Sequence, residues 1–124
     1  MEIFPDYAEA WTMLATVYLE KGNLSAAVRI FQETIARGTD RAGLHYNLGR
    51  AYQLLGEYPL AVESFLTAIR MDRAFMQPYI NLGGVYYQMN RHAEAEEVWR
   101  QALRLQPENQ TVQDNLDILK RESQ

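Results

Sequence analysis

A period of 34 residues runs through this 124-residue chain and decides most of what it can fold into. Trp11, His45, Tyr79 and Gln113 share one slot of the period; Leu14, Leu48, Leu82 and Leu116 share another. The same step joins Tyr18, Tyr52 and Tyr86; Ala27, Ala61 and Ala95; and Phe31, Phe65 and Trp99. No insertion or deletion interrupts it, so three units are expected at residues 8 to 41, 42 to 75 and 76 to 109.

Each unit carries two helical patterns. In the second, Leu44, Leu48, Ala51, Tyr52 and Leu55 keep helical spacing, Gly56 to Pro59 break it, and Ala61, Val62, Phe65, Ala68 and Ile69 resume it. Gly22, Gly56 and Asn90 stand at the three breaks, and these residue types enter the left-handed conformation that ends a helix at least cost. Pro59 and Pro78 fall in expected first turns, where a missing N–H is harmless; Pro5 and Pro107 fall between units. Small residues at Ala15, Gly49 and Gly83, facing Ala27, Ala61 and Ala95, let the two helices of a hairpin approach closely. One such hairpin cannot bury its apolar faces alone, so neighbours must stack into a curved array.

The pattern resembles the tetratricopeptide repeat family. Tyr79, Leu82, Gly83, Tyr86, Ala95, Trp99, Ala102 and Pro107 of the third unit match the family's consensus slots. Asn90 replaces its central glycine, and Thr39 and Arg73 stand where it usually has proline. The resemblance implies an all-α fold, a right-handed superhelical solenoid of antiparallel helix hairpins, making up a single domain.

Residues 110 to 121 place Val112, Leu116 and Leu119 on one face and Asp114, Asp117, Lys120 and Arg121 on the other, the pattern of a capping helix. At the other end, residues 1 to 7 resemble the tail of a preceding repeat. Both a fragment of a longer array and a short protein with a vestigial start fit that pattern. Ala10 and Val17 are expected to face a missing neighbour, with Ile3, Phe4 and Tyr7 available to cover them incompletely, so this edge is a candidate surface for a homodimer; the alternative is that residues 1 to 7 fold back and seal it, leaving a monomer.

Little here points to catalysis. The two histidines, His45 and His92, occupy slots held by Trp11 and Tyr79, and by Leu24 and Tyr58, which makes them packing residues. No phosphate loop, nucleophile and base set or metal-ligand cluster is visible, so no cofactor or metal is expected. Gly83 and Gly84 lie in mid-helix with no strand before them. Glu94, Glu96 and Glu97 suit the first turns of a helix. Absence of cysteine excludes disulfides and thiolate chemistry and fits a reducing, cytoplasmic setting. A net charge of −4 disfavours nucleic acid, and the apolar runs are too short for membrane insertion.

The expected role is therefore a non-catalytic module that binds a peptide segment of a partner protein. The alternatives are a substrate-recruiting or regulatory region of a larger enzyme and a self-assembling scaffold. The resemblance implies a concave groove built from the first helix of each unit. It would be lined by Glu9, Thr12, Met13, Thr16, Leu19 and Glu20, by Tyr46, Asn47, Arg50, Gln53 and Leu54, and by Gln77, Ile80, Asn81, Gly84, Tyr87 and Gln88. Asn115 and Ile118 would complete it. Asn47, Asn81 and Asn115 recur at the repeat step, and a primary amide pairs with both groups of a ligand backbone. Family members that clamp the C-terminal carboxylate of heat-shock chaperones carry Lys, Asn, Asn, Lys and Arg at the positions of Thr12, Thr16, Asn47, Gln77 and Asn81. Only Asn47 matches, and such acidic tails are disfavoured.

Overall fold

The computed structural model describes residues 6–122, which form helices and turns throughout: α1 (Asp6–Glu20), α2 (Leu24–Ala36), α3 (Ala42–Leu55), α4 (Tyr58–Met71), α5 (Met76–Gln88), α6 (His92–Leu105) and α7 (Gln110–Glu122). The expected likeness of residues 1 to 7 to a repeat tail falls mostly outside the described residues. Helices α1 and α2, α3 and α4, and α5 and α6 pair as hairpins, and each hairpin's second helix packs on the next first helix. First helices also meet directly, α1 with α3 and α3 with α5. That closer approach curves the array with its first helices inside.

Three turns share one device. Gly22, Gly56 and Asn90 take positive φ of 84°, 81° and 64°. The next amide then folds back onto a carbonyl five residues earlier: Asn23 donates to Tyr18, Glu57 to Tyr52 and Arg91 to Tyr86, at 2.8 to 2.9 Å. Each acceptor is the repeat tyrosine, so one slot supplies both core packing and helix termination. Gly38, at φ 108°, ends α2 in the same way, a turn the repeat pattern did not announce. Gly56→Ala is expected to cost about 1 kcal/mol, whereas Asn90→Gly should hold or slightly raise stability, because only the former puts a new Cβ into left-handed backbone. Urea unfolding of the two variants checks the pair.

Inside each hairpin an aromatic ring lies on a residue with little or no side chain. Phe65 covers Gly49 and Trp99 covers Gly83, and the fully buried Ala15 and Phe31 hold the matching positions. Trp99 Nε1 also donates to the Ile80 carbonyl at 3.1 Å, which fixes the indole across α5. On α7 the same slot is Asp117, and it is exposed.

A second repeated slot locks the joints between hairpins. His45 Nε2 pairs with Asp40 Oδ1 at 2.6 Å, Tyr79 Oη donates to the Arg73 carbonyl at 2.9 Å, and Gln113 Nε2 donates to the Pro107 carbonyl at 2.7 Å. All three side chains reach back over the preceding turn.

Two sequence expectations need correction. Leu19, placed in the groove by the repeat, is 3% exposed and belongs to the core. An apolar side chain at that slot turns inward, while Gln53 and Tyr87 in the sister units stay partly exposed. Trp11 and Leu14 occupy core slots of the period but are 47% and 40% exposed, on the same edge as Val17, the residue expected to lack a neighbour, which is 48% exposed. Their counterparts on α3, α5 and α7 lie under the second helix of the preceding hairpin; among the described residues nothing of that kind covers α1.

Candidate functional site

The inner face of the first helices brings most of the expected groove residues together, in differing states of engagement. On α1, the Thr12 and Thr16 hydroxyls donate to the carbonyls of Ala8 and Thr12, each at 2.8 Å, so both are spent on their own helix. Met13 is 63% exposed. Between α1 and α3 lies a hollow of about 360 Å³ lined by Glu9, Thr12, Met13, Thr39, Arg41, Gly43 and Asn47, among others.

On α3 the aromatic and the cation form a layered unit. Tyr46 is half-buried, with its ring 5.3 Å from Phe75 and 5.9 Å from Phe65, so it braces α3 against the following hairpin. Burial pushes its phenol above the usual range, opposed by the nearby Arg50 charge. The Arg50 guanidinium lies 5.9 Å from that ring, reaches Asn47 Oδ1 at 3.4 Å and sits 3.6 Å from the Glu20 carboxylate of α1. This cation is thereby matched by an anion from the neighbouring repeat. Leu54, one helical turn on, is 62% exposed.

Helix α5 continues the face with amides. Asn81 Nδ2 donates to Gln53 Oε1 at 3.4 Å, and Gln53 Nε2 donates to Gln88 Oε1 at 3.3 Å. These long bonds run from repeat to repeat along the groove wall. Ile80 is half-buried against the core, and its carbonyl is the acceptor for Trp99. Tyr87 stacks on His92, with centroids 5.2 Å apart and planes 13° apart, and its hydroxyl bonds the Glu122 carboxylate at the end of α7. That hydrogen bond raises its pKa above the ordinary phenol value. Asn115 of α7 is half-exposed and Ile118 is exposed.

The sequence pattern missed two partners: Phe75 for Tyr46 and Glu122 for Tyr87. Each lies on a neighbouring element, at a distance along the chain that helical periodicity does not reach. No group of three or more potential metal ligands assembles among the described residues, and none of their helices is long and apolar enough to cross a membrane. His45 and His92 sit apart in their separate contacts, with Asp40 and with Tyr87.

Family models described as tetratricopeptide repeat match residues 4–42, 12–77 and 77–109. The chain belongs to the tetratricopeptide repeat family. It is 25% identical over 114 residues to stress-induced-phosphoprotein 1 of Caenorhabditis elegans, covering 92% of this chain and 36% of that relative. The tetratricopeptide fold is shared with the Yersinia enterocolitica type III secretion chaperone SycD, solved with a peptide of the translocator YopD. That match has a TM-score of 0.90 and 23% identity and covers 100% of both chains. It is shared also with the first repeat domain of Spaghetti (RPAP3), solved with the HSP90 peptide SRMEEVD, at a TM-score of 0.88, 17% identity and coverage of 98% and 97%.

Proposed function

We propose that this tetratricopeptide domain is a non-catalytic docking module whose inner face holds an extended segment of a partner protein. The observation that carries the proposal is the row of half-exposed amides along the groove, Asn47, Asn81 and Asn115. Met13, Leu54 and Ile118 stand exposed beside it. Amides satisfy a ligand backbone without reading its sequence, and apolar side chains beside them give anchor contacts. The similarity to folds solved with bound peptides supports the same reading.

Charge narrows the ligand. The groove carries Glu9 and Glu20 on α1, and Arg50 is matched by Glu20. A neutral or basic segment with apolar anchors fits this balance, and an acidic chaperone tail does not. The absence of the clamp cations at Thr12, Gln77 and Asn81 points the same way.

Selection from a random peptide library on the immobilised domain tests the proposal. Neutral to basic sequences with spaced apolar residues are expected, and enrichment of acidic C-termini would overturn the charge argument. For a selected peptide, Asn81→Ala should weaken binding by about 1 to 3 kcal/mol, the cost of leaving buried backbone groups unpaired. The Tm should stay put, since the Asn81 bond to Gln53 is long and partly exposed. A lowered Tm with unchanged affinity would assign the amide to the fold instead.

A further inference from the structure

We propose, resting on the reading of the inner face as a docking groove, that the hollow between α1 and α3 is its specificity pocket and takes one aromatic side chain of the bound segment, a tyrosine or tryptophan. The hollow of about 360 Å³ is walled by α1, by the turn before α3 and by α3 itself, so it belongs to a joint within the array. A cavity of about 150 Å³ already accepts benzene, and this one has room for a larger ring.

The next joint shows what such a space holds. One repeat on, Tyr46 takes the slot of Thr12 and Phe75 the slot of Arg41, and their rings lie 5.3 Å apart at 60°. The chain's own ring thus braces α3 against the start of α5. Thr12 is too short to do the same between α1 and α3. Gln77, in the same way, takes the slot of Gly43, and nothing lies within 4 Å of where a Cβ on Gly43 would stand. Neither left-handed backbone nor close packing calls for glycine there, although glycine is a poor helix former. Two short residues therefore leave open a place that the sister repeat fills with an aromatic side chain.

The lining suits a ring with a polar edge. Arg41 stands where Phe75 stands in the next joint, and a guanidinium plane stacks on an aromatic face. The exposed Met13 adds a thioether, which makes favourable contacts with aromatic rings. On the α1 wall, Glu9 has no cation within ion-pair distance among the described residues, so its carboxylate is open to a tyrosine O–H or a tryptophan N–H. The Thr12 hydroxyl is already bonded to the Ala8 carbonyl and does not compete. Asn47 Oδ1 accepts from Arg50, while its Nδ2 bonds to nothing among the described residues and can hold the ligand carbonyl beside the ring. An aliphatic side chain gains neither the Arg41 stacking nor the Glu9 bond.

NMR titration of the isotope-labelled full chain with N-acetyl-tyrosinamide and N-acetyl-tryptophanamide tests the pocket without any partner protein. The amide signals of Arg41, Gly43 and Asn47 should shift, with dissociation constants in the millimolar range. N-acetyl-leucinamide should bind at least about tenfold more weakly. Thr12→Tyr, which gives α1 the ring that α3 carries at Tyr46, should abolish these shifts while keeping the native circular dichroism. Gly43→Gln, which copies Gln77, should do the same. No shift with either aromatic probe, equal binding of the leucine probe, or aromatic binding that survives both filled variants overturns the pocket. Peptides selected from the random library separate the pocket from the groove. Binders that share a Tyr or Trp and lose at least about 30-fold in affinity on Thr12→Tyr are expected. Binders with no shared aromatic overturn the pocket and leave the docking groove standing. A library that yields no binder, with the aromatic probes still seated in the hollow, overturns the docking groove and leaves the pocket.

Discussion

Gly83→Ala is expected to destabilise the domain by about 3 kcal/mol or more, because overpacking that neither helix can relieve exceeds the usual cost of an added methyl group. A Cβ built on Gly83 would lie 2.1 Å from Trp99 Nε1 and 2.4 Å from Cε2, far inside contact distance. The indole cannot swing away freely, since Nε1 is bonded to the Ile80 carbonyl and the ring is buried. Helix propensity acts in the opposite direction, with alanine favoured over glycine by about 1 kcal/mol in a helix interior. The steric term wins. For a chain of this size the loss corresponds to a fall in Tm of roughly 10 °C or more. Gly49→Ala should cost less, because the nearest atom there is Phe65 Cε1 at 2.7 Å and that ring is smaller and makes no hydrogen bond to its neighbour helix. The first hairpin shows the remedy: Ala15 and Phe31 occupy the same two slots and are both fully buried. Adding Trp99→Phe to Gly83→Ala should therefore recover part of the loss, a favourable coupling that thermal unfolding of the two single variants and the double would reveal. Strictly additive losses would mean that the close approach of α5 and α6 is not what the glycine provides.

The same slots explain why the hairpins were legible in the sequence. Aromatic residues at Phe65 and Trp99 demand space on the facing helix, and glycine at Gly49 and Gly83 supplies it, so composition at two points of the period specifies how the helices meet. The left-handed turns at Gly22, Gly56 and Asn90 are local in the same sense. Groove chemistry is less local. The Tyr46 ring turns toward Phe75, and Arg50 meets Glu20 from the preceding repeat; both depend on the rotation between hairpins, which no single helix encodes. His45 illustrates the point from another side. Its slot indicates packing, yet the useful contact is a turn lock with Asp40, seen only when Tyr79 and Gln113 are found reaching back in the same manner. Periodicity also identifies a face without saying whether anything covers it. That is why Leu14 looks like Leu48 and Leu82 in the sequence and differs from them in exposure.

Titration of the domain with the peptide SRMEEVD should give no measurable heat of binding. The Thr12 and Thr16 hydroxyls are bonded within α1, Asn81 is engaged by Gln53, and Arg50 already has Glu20 within 3.6 Å, so the peptide's carboxylates meet no free cation among the mapped groove residues. Hydrogen bonds to charged groups contribute about 1.5–3 kcal/mol each, so losing three clamp cations removes about 4.5–9 kcal/mol. A micromolar complex has only about 8 kcal/mol to lose, which leaves millimolar affinity at best. Glu9 and Glu20 add repulsion. The converse variant supplies the positive arm. Thr12→Lys, Gln77→Lys and Asn81→Arg together place three cations on the inner faces of α1 and α5 around the retained Asn47. They should raise affinity for the peptide at least about 100-fold at low salt, with the gain shrinking as ionic strength rises. Micromolar binding by the native chain would show that the groove positions have been assigned to the wrong residues. A triple variant that folds but still ignores the peptide would show that inter-repeat rotation, and not charge, keeps acidic tails out.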